Sequence, residues 1–207
     1  GKISGPMTAK SSLNADYVRS EISRWQARST TMTMRGVVSA EHPLAAQAGA
    51  AVLARGGHAV DAAIAANAVM GLVAPMMNGI GGDLFVIYRD ARTGELSGLN
   101  ASGPAPRNLS PEVLEARGFT GMPEVGIHTV TIPGAVRGWE AMHQRFGKLA
   151  WSKLFDAAIG IAAEGFPVPE VVARLWSAPE TIAKLNGSAS AARTFLPDGR
   201  PPGLGEI

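Results

Sequence analysis

His42-Pro-Leu-Ala-Ala-Gln-Ala-Gly49 and, seven residues on, Gly56-Gly-His-Ala-Val-Asp-Ala-Ala63 are the stretches on which the reading of this chain turns. Leu44, Ala48 and Val52 share one helical face, and Gly56-Gly57 supplies the left-handed stop. A second helix is expected to start near Asp61, whose carboxylate suits the positive end of a helix, and to run through Ala62 to about Leu72. It is apolar nearly all round, which requires burial on several sides, and its alanines allow a sheet to approach closely. The apolar run Ala59 to Met77 contains Asp61 and Asn67 and ends near Pro75, so a buried helix fits it and a membrane span does not.

Downstream, Leu84-Phe85-Val86-Ile87-Tyr88 reads as a strand, Asp90 to Gly94 as a turn and Leu96 to Asn100 as the partner strand. Ser110-Pro111-Glu112 is a helix start that Gly118 ends. Thr129 to Ile132 reads as a further strand. Pro133-Gly134 leads into a helix carrying Val136, Trp139 and Met142, and Leu154, Ala158, Ile161 and Ala162 mark another that stops at Gly165. Upstream, Gly36-Val37-Val38-Ser39 reads as a strand, and Val18, Ile22 and Trp25 recur at the spacing of a short docking helix within polar residues 8–35. The stretch from Leu196 to Gly205 is loop chemistry. Helix pairs, a hairpin and more helices in one chain indicate an α/β, layered α+β protein.

Composition narrows the function. The 207 residues are 46% hydrophobic and 17% charged, which is globular. The formal charge is +2, and no basic run interleaves with aromatic residues, so a nucleic-acid partner is not expected. There is no cysteine, which excludes disulfides, thiolate nucleophiles and cysteine metal sites. No signal-peptide core is visible, which favours the cytoplasm, or the periplasm if a leader was removed. Gly5-Pro6 before Met7 reads as a tag remnant at 1–6, with residues 1–35 an extension ahead of the domain at 36–207. No membrane association is expected.

The common catalytic devices fail on context. The glycines at 79–82 follow a helix and precede a strand, the reverse of a phosphate cradle. They read instead as backbone that turns sharply or approaches another group. His42, His58, His128 and His143 share no metal-ligand spacing, so each is read as solvated or capping. Glu140-x-x-His143 is half of a carboxylate-bridged metal motif whose other half is missing. No Gly-x-Ser-x-Gly elbow occurs. Arg137 suits an ion pair as well as it suits a substrate ligand.

The two opening motifs closely resemble the start of the γ-glutamyltranspeptidase large subunit. Further matches follow in the family's order: Ala74-Pro75 before Gly79-Ile-Gly-Gly82, Ile132-Pro-Gly-Ala-Val-Arg-Gly138, Phe146-Gly-Lys148 and Ala162-Ala-Glu-Gly-Phe166. The resemblance runs from about Gly36 to Ile207. It implies the αββα sandwich of an N-terminal-nucleophile hydrolase, present here only in part. It also implies a precursor that cuts itself, exposing a threonine whose own α-amine activates the hydroxyl. That threonine is expected in a Thr-Thr-His-like motif downstream, so no catalytic residue is assigned in this chain. Thr30-Thr31-Met32 precedes the family's first helix and lacks the histidine.

In the family an arginine grips the α-carboxylate of the glutamyl group, and bidentate bonding suits a guanidinium to that task. It falls in the stretch matching Asn100-Ala-Ser-Gly-Pro-Ala-Pro106. Ser102 occupies the arginine position, and Pro104 stands where related bacterial proteins carry an arginine two places later. Arg107 is the nearest guanidinium, so Ser102, Asn100 and Arg107 are the candidate substrate-binding residues. The resemblance implies a γ-glutamyl transferase or hydrolase acting on glutathione-type amides. Alternatives are a cephalosporin-acylase-like amidohydrolase, which needs no carboxylate clamp, and a non-catalytic scaffold. The expected partners are the chain's own small subunit or a downstream large-subunit segment, and a small acyl amide. No metal and no organic cofactor are implied. The chain alone is expected to be inactive.

Overall fold

The histidines that open the two motifs act as helix caps. In the computed structural model, which describes residues 30–207, helix α1 spans Pro43–Ala54 behind His42, whose Nδ1 accepts the Leu44 N–H at 3.2 Å. Helix α2 spans Ala59–Val73 behind His58, whose Nδ1 accepts the Val60 N–H at 3.3 Å. Asp61 is the third residue of α2 and takes the His58 N–H at 2.8 Å, which closes a reciprocal capping box. Between the helices Gly56 adopts φ +84°, and a side chain at Gly57 would press on Val52. The residues at 1–29, with the docking helix around Val18, Ile22 and Trp25 and the tag remnant, lie outside the described residues. Residues 35–207 form one unit, described here.

Antiparallel strands β1 (Phe85–Arg89) and β2 (Leu96–Asn100) make a hairpin in which Phe85 faces Asn100 and Ile87 faces Gly98. The Asp90 carboxylate accepts the Arg92 and Thr93 N–H groups and so fixes the turn. This is the one sheet among the described residues. Helix α3 (Pro111–Ala116) has Ser110 as its cap, and Gly118 at φ +83° ends it. Helix α4 (Ala135–Phe146) presents Trp139 and Met142 to the core, and α5 (Asp156–Glu164) ends at Gly165 with φ +80°.

Three short helices follow that the hydrophobic pattern did not announce: α6 (Glu170–Trp176), α7 (Pro179–Asn186) and α8 (Ala189–Phe195). The Trp176 indole N–H donates to the Phe195 carbonyl at 2.9 Å and ties the first to the last. After a short 3₁₀ turn the loop from Leu196 folds back, and the Val168 N–H donates to the Glu206 carbonyl at 2.8 Å.

Helix α2 is the centre of this arrangement. Val69, Met70 and Val73 pack with Ala45 and Ala48 of α1 and Ala158 of α5. Val60, Ile64 and Ala65 pack with Trp139, Met142 and Leu154, and the inner hairpin residues Val86, Tyr88 and Leu99 rest on them. Burying each large aliphatic side chain contributes about 1.5–3 kcal/mol before entropy is counted. Asp61 is fully buried and accepts the Lys148 N–H at 3.0 Å and the Leu149 N–H at 3.2 Å, besides that of His58. It therefore fastens the start of α2 to the turn after α4.

Two expected strands are absent. Gly36–Ser39 forms no strand among the described residues. Ile127–Thr129 is a 3₁₀ turn, closed by the Val130 N–H on the Ile127 carbonyl, and beyond it the Ile132 N–H donates to the Pro104 carbonyl at 3.0 Å, a single bond to another segment in place of a ladder. β-Branched residues favour extended backbone, but only a neighbouring edge makes a strand of it.

Candidate functional site

The stretch Asn100–Pro106 leaves β2 and is gripped at once by its neighbours. The Leu84 and Ala101 backbones exchange both hydrogen bonds, at 3.2 and 2.8 Å. The Asn100 Oδ1 accepts the Ser102 N–H at 3.0 Å, a local turn that fixes the loop's direction. The Ser102 carbonyl in turn accepts from the Thr131 hydroxyl at 3.1 Å. Gly134 and Ala135 send their N–H groups to the Gly82 carbonyl at 3.3 and 3.1 Å.

Three segments thus cross within backbone contact: Gly82–Leu84, Asn100–Pro104 and Thr131–Ala135. The crossing needs glycine. Gly103 sits at φ +85°, and a Cβ there would fall on the Ile132 carbonyl. A Cβ at Gly134 would fall on the Ala101 carbonyl, and one at Gly138 would strike the side chains of Ala101 and Leu84.

The glycine loop makes the sharp turn of the sequence reading, with the Gly82 N–H on the Gly79 carbonyl at 3.3 Å, but Gly79 and Gly81 make no close approach that only glycine allows. A Cβ at Gly79 or Gly81 would meet nothing among the described residues, and neither has positive φ. The close approaches belong to Gly103, Gly134 and Gly138. The loop instead walls a cleft of about 630 Å³ between residues 75–83 and Thr129–Thr131. The Asn78 side chain pins this loop to the Asn67 carbonyl of α2 at 3.3 Å, and the Trp139 indole bonds the Asn67 side chain at 3.0 Å. The Thr131 hydroxyl, shared between Ser102 and the Asp83 carboxylate, joins the cleft to the Ser102 loop.

The structure therefore brings Asn100 and Ser102 together beside the cleft. Arg107 lies beyond, exposed in the turn closed by the Leu109 N–H on the Pro106 carbonyl, with no hydrogen bond to either. Arg137 pairs with Glu140 at 2.5 Å on the outer face of α4, which is the ion-pair reading. Sequence reasoning missed Thr131, Asp83 and Gly103; the close spacing of Gly103 and Pro104 was the available signal for a sharp turn.

His42 is buried. Its Nδ1 accepts, so Nε2 carries the proton, and this buried N–H has no partner among the described residues. Burial pushes its pKa below the usual histidine value, against a smaller raising effect of Glu41. The Phe166 ring stands edge-on at 6.3 Å. His143 bonds the Leu149 carbonyl through Nε2 at 2.8 Å. Among the described residues no group of three His, Cys, Asp or Glu side chains could hold a metal ion, and no helix is long and apolar enough to cross a membrane.

Residues 45–207 match the family model for γ-glutamyltranspeptidase. The chain belongs to this family. The glutathione hydrolase proenzyme of Bacillus subtilis (strain 168) is 33% identical over 170 residues, which are 80% of this chain and 28% of that protein. The γ-glutamyltranspeptidase of Helicobacter pylori superposes with a TM-score of 0.78 at 28% identity, covering 86% of this chain and 51% of that one. A cephalosporin acylase from Bacillus halodurans superposes with a TM-score of 0.73 at 36% identity, covering 88% of this chain and 36% of that one.

The fold is accordingly part of the N-terminal-nucleophile hydrolase fold, with mixed helix and sheet, and the relatives are γ-glutamyltranspeptidase-type enzymes. The chain spans about a quarter to a third of the length of the curated relatives it matches.

Proposed function

We propose that this chain is the N-terminal portion of the large subunit of an autoprocessing amidohydrolase that transfers or hydrolyses γ-glutamyl or similar acyl amides. Its nucleophile, a threonine, lies in a downstream segment of the same precursor, and that segment is its partner. The observation that carries the reading is the crossing of Gly82–Leu84, Asn100–Pro104 and Thr131–Ala135. It sets the Ser102 loop rigidly against the cleft under the glycine turn, and such a loop can orient a substrate head group without further ordering cost. Ser102 and Asn100 face that head group in this proposal, and Arg107 reaches it only if the loop shifts.

One observation favours the acylase-type variant. Positions 102 and 104 hold serine and proline, so no guanidinium is built into the crossing. Hydrogen bonds to charged groups contribute about 1.5–3 kcal/mol against about 1 for neutral ones. Without the guanidinium, preference for an α-carboxylate falls roughly ten- to a hundredfold. The test compares kcat/KM for matched γ-glutamyl and glutaryl anilides in the full-length enzyme and in Ser102→Arg. Weak native discrimination that Ser102→Arg sharpens is the expected outcome. A strong native preference for γ-glutamyl would move the clamp to Arg107 or to another part of the protein. A ratio indifferent to Ser102→Arg would remove Ser102 from the substrate.

A further inference from the structure

The three-segment crossing holds one charge, and its sign is negative. Within Gly82–Leu84, Asn100–Pro104 and Thr131–Ala135, Asp83 is the sole ionisable side chain. Its backbone is fixed on both sides. The Gly82 carbonyl accepts the Gly134 and Ala135 N–H groups at 3.3 and 3.1 Å, and Leu84 exchanges two hydrogen bonds with Ala101. The Asp83 side chain is exposed and lines the cleft between residues 75–83 and Thr129–Thr131.

Little within the chain engages that carboxylate. The Thr131 hydroxyl reaches the Asp83 Oδ1 at 3.4 Å and the Ser102 carbonyl at 3.1 Å, and its single proton serves one of them at a time. The Asp83 Oδ2 has no donor among the described residues, and none of the ion pairs there includes Asp83. The rest of the cleft wall is neutral, with no lysine, arginine or histidine on it. A cleft whose wall carries charge of one sign attracts the opposite sign. It also repels its own. Where the resemblance calls for a guanidinium stands Ser102, and the charge tied to it through the Thr131 hydroxyl is a carboxylate. The electrostatic sense of the site is the reverse of a carboxylate clamp.

We infer that Asp83 determines specificity, selecting acyl amides whose acyl chain ends in an ammonium group over those that end in a carboxylate. The ammonium donates to the Asp83 carboxylate, and the chain that bears it runs from the cleft past the Ser102 loop. The substrate class rests on the proposed function, in which an acyl amide is cleaved and its head group meets that loop. A γ-glutamyl head carries both charges on one carbon, so Asp83 attracts one and repels the other; singly charged heads separate the two effects. At about 4 Å in water-like surroundings one charge pair changes affinity roughly fivefold, so matched ammonium and carboxylate heads separate by up to about thirtyfold. Because Asp83 is exposed, added salt narrows that gap.

The test measures binding of three amides of matched length to the full-length protein by ligand-observed NMR: 4-aminobutanamide, pentanamide and the monoamide of glutaric acid. At low salt the ammonium probe should bind at least about tenfold more tightly than the carboxylate probe, with pentanamide between them. Asp83→Asn, which keeps an oxygen for the Thr131 hydroxyl and loses the charge, should bring the three within about threefold of one another. Asp83→Glu should restore the order. Equal binding in the wild type, a preference for the carboxylate, or no binding of the ammonium probe overturns the inference. So does an ammonium preference that Asp83→Asn leaves intact, because the charge responsible then lies elsewhere. Hydrolysis of the three matching anilides separates the two ideas. Turnover that ignores head-group charge sinks the inference alone, and Asp83-dependent binding without turnover of any anilide sinks the proposed function alone.

Discussion

Replacing Gly103 by alanine should open the three-segment crossing, and the cost follows from its geometry. The residue sits at φ +85°, where an L side chain costs about 1–2 kcal/mol. The new Cβ would fall on the Ile132 carbonyl oxygen and lie 3.1 Å from its carbon and 3.4 Å from the Gly134 nitrogen. These are backbone atoms, so no rotamer change relieves the contact and the 131–134 segment must move. Overpacking of this kind costs about 1–3 kcal/mol. The displacement also strains the Ile132–Pro104 and Thr131–Ser102 hydrogen bonds, at about 0.5–1.5 kcal/mol each.

Gly118 provides the control, because its φ is +83° and a Cβ there meets nothing within 4 Å. Gly118→Ala should therefore cost only the conformational 1–2 kcal/mol or so. Gly103→Ala should exceed it by about 2 kcal/mol or more, and at a urea m-value of about 1–3 kcal/mol/M the midpoints separate by roughly 1 M. Urea unfolding of the two variants and the parent, followed by circular dichroism, reads this difference directly. Equal midpoints at equal m-values would refute the argument that the crossing is sterically locked.

Three further outcomes follow. Asp61→Ala removes the fully buried carboxylate that accepts from the part-buried N–H groups of His58, Lys148 and Leu149 and should destabilise the protein by about 3 kcal/mol, read as a urea midpoint shift. His42 has a folded pKa below its unfolded value near 6.5, so the folded state binds fewer protons and stability is lost as pH falls through 6.5 toward the folded pKa. Unfolding free energies between pH 8 and 5 should show this slope, and His42→Asn, which keeps the cap, should flatten it. The Glu206 carboxylate, held by the Arg200 guanidinium and the Gly203 N–H, should titrate at about 2 by carbon NMR and return toward the ordinary range in Arg200→Gln.

The helices and the hairpin were legible because their signals are local. His58 with Asp61, Ser110 with Pro111, and the glycines at 56, 118 and 165 mark ends that a cap or a left-handed residue fixes. The α7 and α8 starts carried the same marks, Pro179 at the first turn and Ser188 at the cap, but their short, weakly apolar helices gave no period to attach them to. Val37–Ser39 and Thr129–Ile132 misled because strand propensity describes a residue that has a partner, and here neither stretch has a ladder. The Ser102 loop could be placed from its motif. Its contacts could not, since Thr131 lies 29 residues away and only the fold brings it to the Ser102 carbonyl.

The glycine loop shows the same limit from the other side. The glycines at 79–82 read as a sharp turn or a close approach; the structure has the turn, with the Gly82 N–H on the Gly79 carbonyl, and gives Gly79 and Gly81 open space beside a cleft. Their motif belongs to the family pattern, but the steric demand within this chain falls on Gly103, Gly134 and Gly138.

The central claim is that these residues form part of an N-terminal-nucleophile enzyme whose reacting threonine lies downstream. The most direct measurement follows the full-length precursor by mass spectrometry while assaying hydrolysis of γ-glutamyl and glutaryl anilides. The expected result is cleavage into two polypeptides, a new N-terminal threonine on the second, hydrolysis that appears with the cut, and none from the 207 residues alone. An uncut precursor that hydrolyses neither anilide, or turnover by these residues by themselves, would contradict it.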